Sequence, residues 1–164
     1  MVTPLRVWLL SDGVPGHTNQ ALGLLRRIAV LKTVDCQEYE VVLGFRLLRP
    51  LLRFAQNRRL AWASRLARWV YKAWPESKDP PQLIVSAGGN TSFINAQLAQ
   101  QFACANFYMG SLRGLDPNLF TAVFTLQPLA GPRGVALENN IVLPILPSNS
   151  EPEEGYAEAQ VLRH

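Results

Sequence analysis

The stretch Ser11-Asp12-Gly13-Val14-Pro15-Gly16-His17-Thr18-Asn19-Gln20 decides how this chain is read. It follows the apolar run Leu5 to Leu10, which is too short for a helix and is closed by Gly13 and Pro15, so it predicts a buried strand. It precedes Ala21, Leu24, Leu25, Ile28 and Leu31, whose spacings of three and four predict an amphipathic helix over about 19–32, with Thr18 as its N-cap. A strand that ends in a glycine-punctuated turn and re-enters as a helix is the unit from which α/β proteins build ligand sites.

The unit recurs along the chain. Strands are expected over 38–43, 83–86, 106–109 and 122–126, with a last short one at Ile141-Val142-Leu143. Helices are expected over 50–74, opened by Pro50 and closed by Pro75, and over 92–102. Alternation of this kind implies one Rossmann-like, three-layer α/β domain over residues 1–147 with a mostly parallel sheet. The polar, acidic residues 148–164 read as a tail or interdomain linker. In such sheets the ligand crevice lies at the carboxyl ends of the strands. That edge receives the turns Asp12 to Gln20, Gly88 to Ser92 and Gly110 to Arg113.

A length of 164 residues with 48% hydrophobic and 17% charged side chains suits one globular domain and excludes a disordered chain. The formal charge of +4 conceals an asymmetry. Residues 41–75 hold eight basic side chains and no acid, leaving eight basic and twelve acidic groups for the rest. Local basicity implies an anionic partner for one surface. Cys36 and Cys104 lack metal-ligand spacing and read as free thiols in a reducing compartment, and no metal or other cofactor is expected. No run reaches the about 18 apolar residues of a membrane span, and the N-terminus has no leader-peptide pattern. The expected location is therefore cytoplasmic, with peripheral attachment at the inner face of a membrane left open by the basic segment.

The first turn lacks both the Gly-Lys-Ser/Thr ending of a Walker loop and the GxGxxG spacing of a dinucleotide fold. Gly13 and Gly16 allow a tight backbone, and the helix entrance with Asn19 suits a phosphate-like anion. His17, oriented by Asp12, suits a general base on a hydroxyl; equally, the two side chains could only stitch the turn. Gly88, Gly89, Asn90 and Thr91 repeat the design, with Asn90 or Thr91 as N-cap, and Arg113 is a candidate clamp for an anionic group. On a single helical wheel over 50–74, Leu51, Ala55, Trp62, Leu66, Trp69 and Ala73 form a stripe flanked by Arg65, Arg68 and Lys72. Such a helix either packs on the sheet or lies on a membrane, with Trp62, Arg65, Arg68, Trp69 and Lys72 as its contacts to anionic lipid. Nucleic acid is not an expected partner, because no recognition motif accompanies the charge.

The segment Leu10 to Gln20 closely resembles the opening signature of the mitochondrial fission Elm-type family. Ile84 to Thr91 is similar to its second signature, and Tyr108 to Arg113 with Phe120 to Phe124 to its third block. The second block departs from the family pattern, which carries arginines after Ser-Ala-Gly where this chain has Gly89 and Asn90. The resemblance covers nearly the whole chain and implies the N-terminal, acceptor-side lobe of a two-lobed, GT-B glycosyltransferase-like protein. It implies His17 as an acceptor-side base, an anionic lipid or lipid-linked acceptor, and a second lobe that binds a sugar nucleotide. On that reading the 164-residue chain alone is inactive, because the donor half of the site is missing. The alternative is a non-catalytic membrane- or protein-binding scaffold module.

Overall fold

The computed structural model describes residues 3–131, 136–145 and 147–148. Six strands form one all-parallel sheet: β1 (Leu5–Ser11), β2 (Val34–Glu40), β3 (Leu83–Ala87), β4 (Ala105–Met109), β5 (Ala122–Thr125) and β6 (Asn140–Val142), in the spatial order β2-β1-β3-β4-β5-β6. Four α-helices cover it: α1 (Pro15–Leu31), α2 (Arg49–Asn57), α3 (Ala63–Val70) and α4 (Ser92–Phe102). The three-layer, Rossmann-like α/β architecture read from the sequence is the one observed.

Period-two alternation along the strands divides the interior into two layers. Val7 and Leu9 of β1, with Leu83, Val85 and Met109, pack under Ala21, Leu24 and Leu25 of α1. Trp8 and Leu10 face the other way, where Ile84 and Tyr108 meet Leu52, Val70, Phe93, Ile94 and Leu98 of α2, α3 and α4. Trp8 is 1% exposed and is held between Tyr39 and Phe102, at ring-centroid distances of 4.8 and 5.1 Å. An Asn pair is buried beneath α4. Asn106 Nδ2 donates to Asn95 Oδ1 at 2.8 Å, while Asn95 Nδ2 donates to Ser86 Oγ at 2.8 Å and to the Phe107 carbonyl at 3.1 Å.

Three local expectations are corrected. First, α1 begins at Pro15 and not near Asn19; Val14 is the N-cap and makes no side-chain capping bond. Proline at the first helical position supplies the required φ, so the helix needs no hydroxyl cap there. Thr18 lies inside the helix, where its Oγ1 is 2.7 Å from Ser11 Oγ. Thr91 does stand at the N-cap of α4, yet its hydroxyl donates back to the carbonyls of Ala87 and Gly88 and caps no amide. Second, residues 50–74 are two helices separated at Arg58–Trp62, where Arg59 takes a left-handed φ of 51°. The single-wheel stripe therefore dissolves: Ala55 is buried while Leu51, Trp62 and Trp69 are exposed. Third, β2 runs over 34–40 and not 38–43, because it is a solvent-facing edge strand whose exposed Asp35, Glu38 and Glu40 carry no apolar run. The backbone of Ser148 lies against Gly23 of α1, so the described chain is still packed where the tail was expected to start; residues 149–164 lie outside the described residues.

Candidate functional site

The chain leaves β1 toward β2 on one side and resumes with β3 on the other, so β1 and β3 are neighbours at a topological switch point. Their carboxyl-end turns diverge there and open a crevice, the position at which doubly wound sheets bind ligands. The β1 turn supplies Asp12 and His17, and the β3 turn supplies Gly88, Gly89 and Asn90.

His17 Nδ1 lies 2.9 Å from Asp12 Oδ1 and 3.1 Å from Oδ2. The Asp12 side chain is 2% exposed and that of His17 36%. A carboxylate only accepts, so the contact places a proton on Nδ1 and, in the neutral ring, leaves Nε2 with its lone pair free. Nε2 has no hydrogen bond among the described residues and belongs to the solvent-accessible part of the site. The pair is an oriented imidazole, able to take a proton from a hydroxyl and keep the resulting charge beside a carboxylate.

Gly88 is what lets the ring reach this position. Its φ is +88°, and a Cβ built on it falls 2.1 Å from His17 Nδ1. Gly89 plays the same part for Arg113: a Cβ there falls 1.9 Å from Arg113 Nε. The Gly-Gly turn is thus covered by the imidazole at one residue and a guanidinium at the next. Arg113 itself holds a left-handed φ of 51°. Gly13 has a φ of +76°, which a side chain rarely adopts, whereas nothing lies within 4 Å of a Cβ built at Gly16. The Gly13 glycine is required by its conformation; Gly16 is not required by space.

Asn90 joins the two halves. Its Nδ2 donates to Asp12 Oδ2 at 3.3 Å, and its Oδ1 accepts from Arg49 Nη2. The Tyr71 hydroxyl donates to the Asn90 carbonyl. Burial pushes the phenols of Tyr71 and Tyr108 far above the usual tyrosine range, so both act as neutral donors, Tyr108 to the Ser111 carbonyl at 2.8 Å. Arg49 and Tyr71 are site residues that the sequence does not single out. Arg49 falls within the basic segment, and only the packing of the α2 entrance against the β3 turn makes it part of the site. Its nearest signal was Pro50, which marked that entrance.

Of the sequence-predicted ligand residues, Asp12, Gly13, His17, Gly88, Gly89, Asn90, Thr91 and Arg113 converge on this edge. Thr91 is fully buried and holds the turn rather than facing the crevice. Asn19 lies exposed along α1, and its side chain makes no hydrogen bond among the described residues. Beyond Arg113 the edge continues as an open groove of about 590 Å³, bordered by Gln20, Leu112, Phe124, Leu126 and Leu129. No group of three or more metal-ligating side chains occurs among the described residues.

The residues expected to touch a membrane sit elsewhere. Arg65 and Arg68 border a separate cleft of about 440 Å³ between α3 and α4, and Arg68 is paired with Glu76. Trp69 is 62% exposed and stacks on the exposed Phe45 at 4.9 Å. Lys72 is exposed, its stem against Gly44. Leu51 of the expected stripe instead lines up with Leu47 and Phe54, which face outward with Arg58 over the Phe54 ring. No helix among the described residues is long and apolar enough to cross a membrane. Comparison with family models, with curated proteins and with solved structures finds no match to this chain.

Proposed function

We propose that this domain forms the acceptor-side wall of a glycosyltransferase-like site that works at a membrane surface. The observation that carries the proposal is the Asp12–His17 pair, held at the β1/β3 switch point with Nε2 free and a glycine opposite the ring. In the reaction, the acceptor hydroxyl gives its proton to His17 Nε2 while its oxygen bonds to the anomeric carbon of the donor sugar. The sugar–phosphate bond breaks, and its electron pair leaves with the nucleotide phosphate, which a second lobe holds. Asp12 keeps the imidazole in the right tautomer and stabilises the imidazolium. The outward apolar residues Phe45, Leu47, Leu51, Phe54 and Trp69, with Arg58 over the Phe54 ring, support contact with anionic lipid.

The test is sugar transfer by the longest natural protein that contains these residues, with and without His17→Ala. Loss of general-base catalysis lowers the rate by about 10²–10⁴-fold, whereas an unchanged rate removes His17 from the chemistry. The 164-residue chain alone is expected to show no turnover. The same outward apolar and basic face favours a second reading, a non-catalytic docking module. That reading requires Phe45→Ser with Trp69→Ser to abolish flotation with anionic vesicles, and His17→Ala to leave every readout unchanged.

A further inference from the structure

Arg49 and Arg113 meet at the crevice with Arg46 nearby, and the carboxylate that shares it, Asp12, is joined to Arg49 only through Asn90. Arg49 and Arg113 approach consecutive residues of the β3 turn, Arg49 through the Asn90 side chain and Arg113 against Gly89. Arg46 stands one helical turn before Arg49. No ion pair to any of the three occurs among the described residues. Arg49 Nε is shielded from solvent and has no hydrogen-bond partner. Desolvation first, and then the neighbouring Arg113 and Arg46, lower the basicity of Arg49. Arg49 is therefore held beside like charges with one nitrogen shielded from water, while Arg113 and Arg46 stay exposed to solvent, an arrangement that an entering anion relieves.

Two helix entrances add to the positive side of the crevice, opposite the carboxylates of Asp12 and Glu40 at the β1 turn. The helices α1 and α4 both begin at this edge with no side-chain cap and no acid in the first turn. Their positive dipole ends add to the guanidinium charge. The Thr91 and Ser92 hydroxyls, which could have accepted from the α4 amides, donate instead to carbonyls of the preceding turn. Asn90, the one neutral bridge, turns its oxygen to Arg49 and its amide to Asp12, which keeps the carboxylate apart from the guanidinium.

We propose that Arg49 and Arg113, assisted by Arg46, form a binding site for the phosphate group of the ligand that occupies this crevice, on the solvent side of the guanidinium that covers Gly89 and beside His17. This deepens the acceptor-site reading, on which it rests for the ligand's role, by making the ligand a phosphorylated one. Guanidinium groups match a phosphate through paired N–H donors, which a lysine in the same place would not reproduce.

Titration of the chain with inorganic pyrophosphate, followed by calorimetry, tests the proposal. Saturable binding is expected, weakened about tenfold or more by Arg113→Gln and by Arg49→Gln, and unaffected by Arg27→Gln, which removes the same charge from α1. Arg113 is in an exposed loop, so its variant keeps the test decisive if the Arg49 variant folds poorly. Vesicles of phosphatidylcholine with and without phosphatidic acid separate the sources of the group. Capture by phosphatidic acid that free pyrophosphate competes away, and that Arg113→Gln abolishes, supports a lipid phosphate; pyrophosphate binding with no such capture supports a soluble one. Absence of saturable pyrophosphate binding, or equal weakening by Arg27→Gln, overturns the site. His17→Ala is expected to retain pyrophosphate binding, so a failure of the transfer chemistry and a failure of the phosphate site give different results.

Discussion

Gly88→Ala is the most incisive perturbation, because the structure assigns it two separable costs. At a φ of +88° an alanine is strained by about 1–2 kcal/mol. Its Cβ also falls 2.1 Å from His17 Nδ1, so the imidazole must leave Asp12. That exposes the lost worth of a hydrogen bond to a charged group, about 1.5–3 kcal/mol, taken near the low end because the ring is 36% exposed. The sum predicts a loss of about 2.5–4 kcal/mol. In a His17→Ala background the ring is already gone, and the same substitution costs only the backbone strain of about 1–2 kcal/mol. Guanidinium unfolding of the four proteins in the cycle gives the difference directly. A coupling of about 1.5–2 kcal/mol is expected. Equal costs in the two backgrounds would refute the claim that Gly88 is retained to seat the imidazole.

Two further predictions concern stability. Tyr71 and Tyr108 keep their protons in the folded chain well above the ordinary value of 10.0, so above that pH the unfolded chain releases protons that the folded chain retains. The phenols' contribution to stability is therefore flat below about pH 10 and falls above it by about 1.4 kcal/mol per pH unit for each; Tyr71→Phe removes about 1.4 kcal/mol per pH unit from the slope in chemical unfolding measured at successive pH values above 10, and an unchanged slope rejects the assignment. Asn106→Ala removes the donor to the buried Asn95 Oδ1 and, nearer the surface, the donor to the Leu119 carbonyl and the acceptor for the Thr121 amide. It is expected to cost about 2–4 kcal/mol, read as a lower denaturation midpoint, and a loss below about 0.5 kcal/mol contradicts the network's role.

The sequence announced the sheet well and the helical layer less well, for identifiable reasons. Central strands such as 83–87 must be apolar on both faces, and a short apolar run between turn residues has few other meanings. The edge strand 34–40 has one side in water, so its charges hid it. The break between α2 and α3 carries neither glycine nor proline. Arg59 pays the left-handed strain itself, and only the packing of α2 and α3 against α4 explains why. At the site, Asp12, His17 and the glycine pair were legible because turn chemistry is local. Arg49 and Tyr71 were not, since their part depends on which segment of a long crossover lands over the β3 turn.

The separation of these partners along the chain sets an order of assembly. Asp12 and His17 are 5 residues apart, Arg49 and Asn90 are 41 apart, and Asn90 meets Asp12 across 78 residues. Loop closure over the longest of these spans costs about 2.4 kcal/mol more than over the shortest. The oriented imidazole can thus form as soon as β1 and α1 meet. The arginines gain their places only after the whole β2-to-β3 crossover has been made and β3 has docked beside β1. During synthesis the site is completed from its imidazole outward, and the proposed phosphate ligands come together only once the chain has passed Arg113, beyond β4.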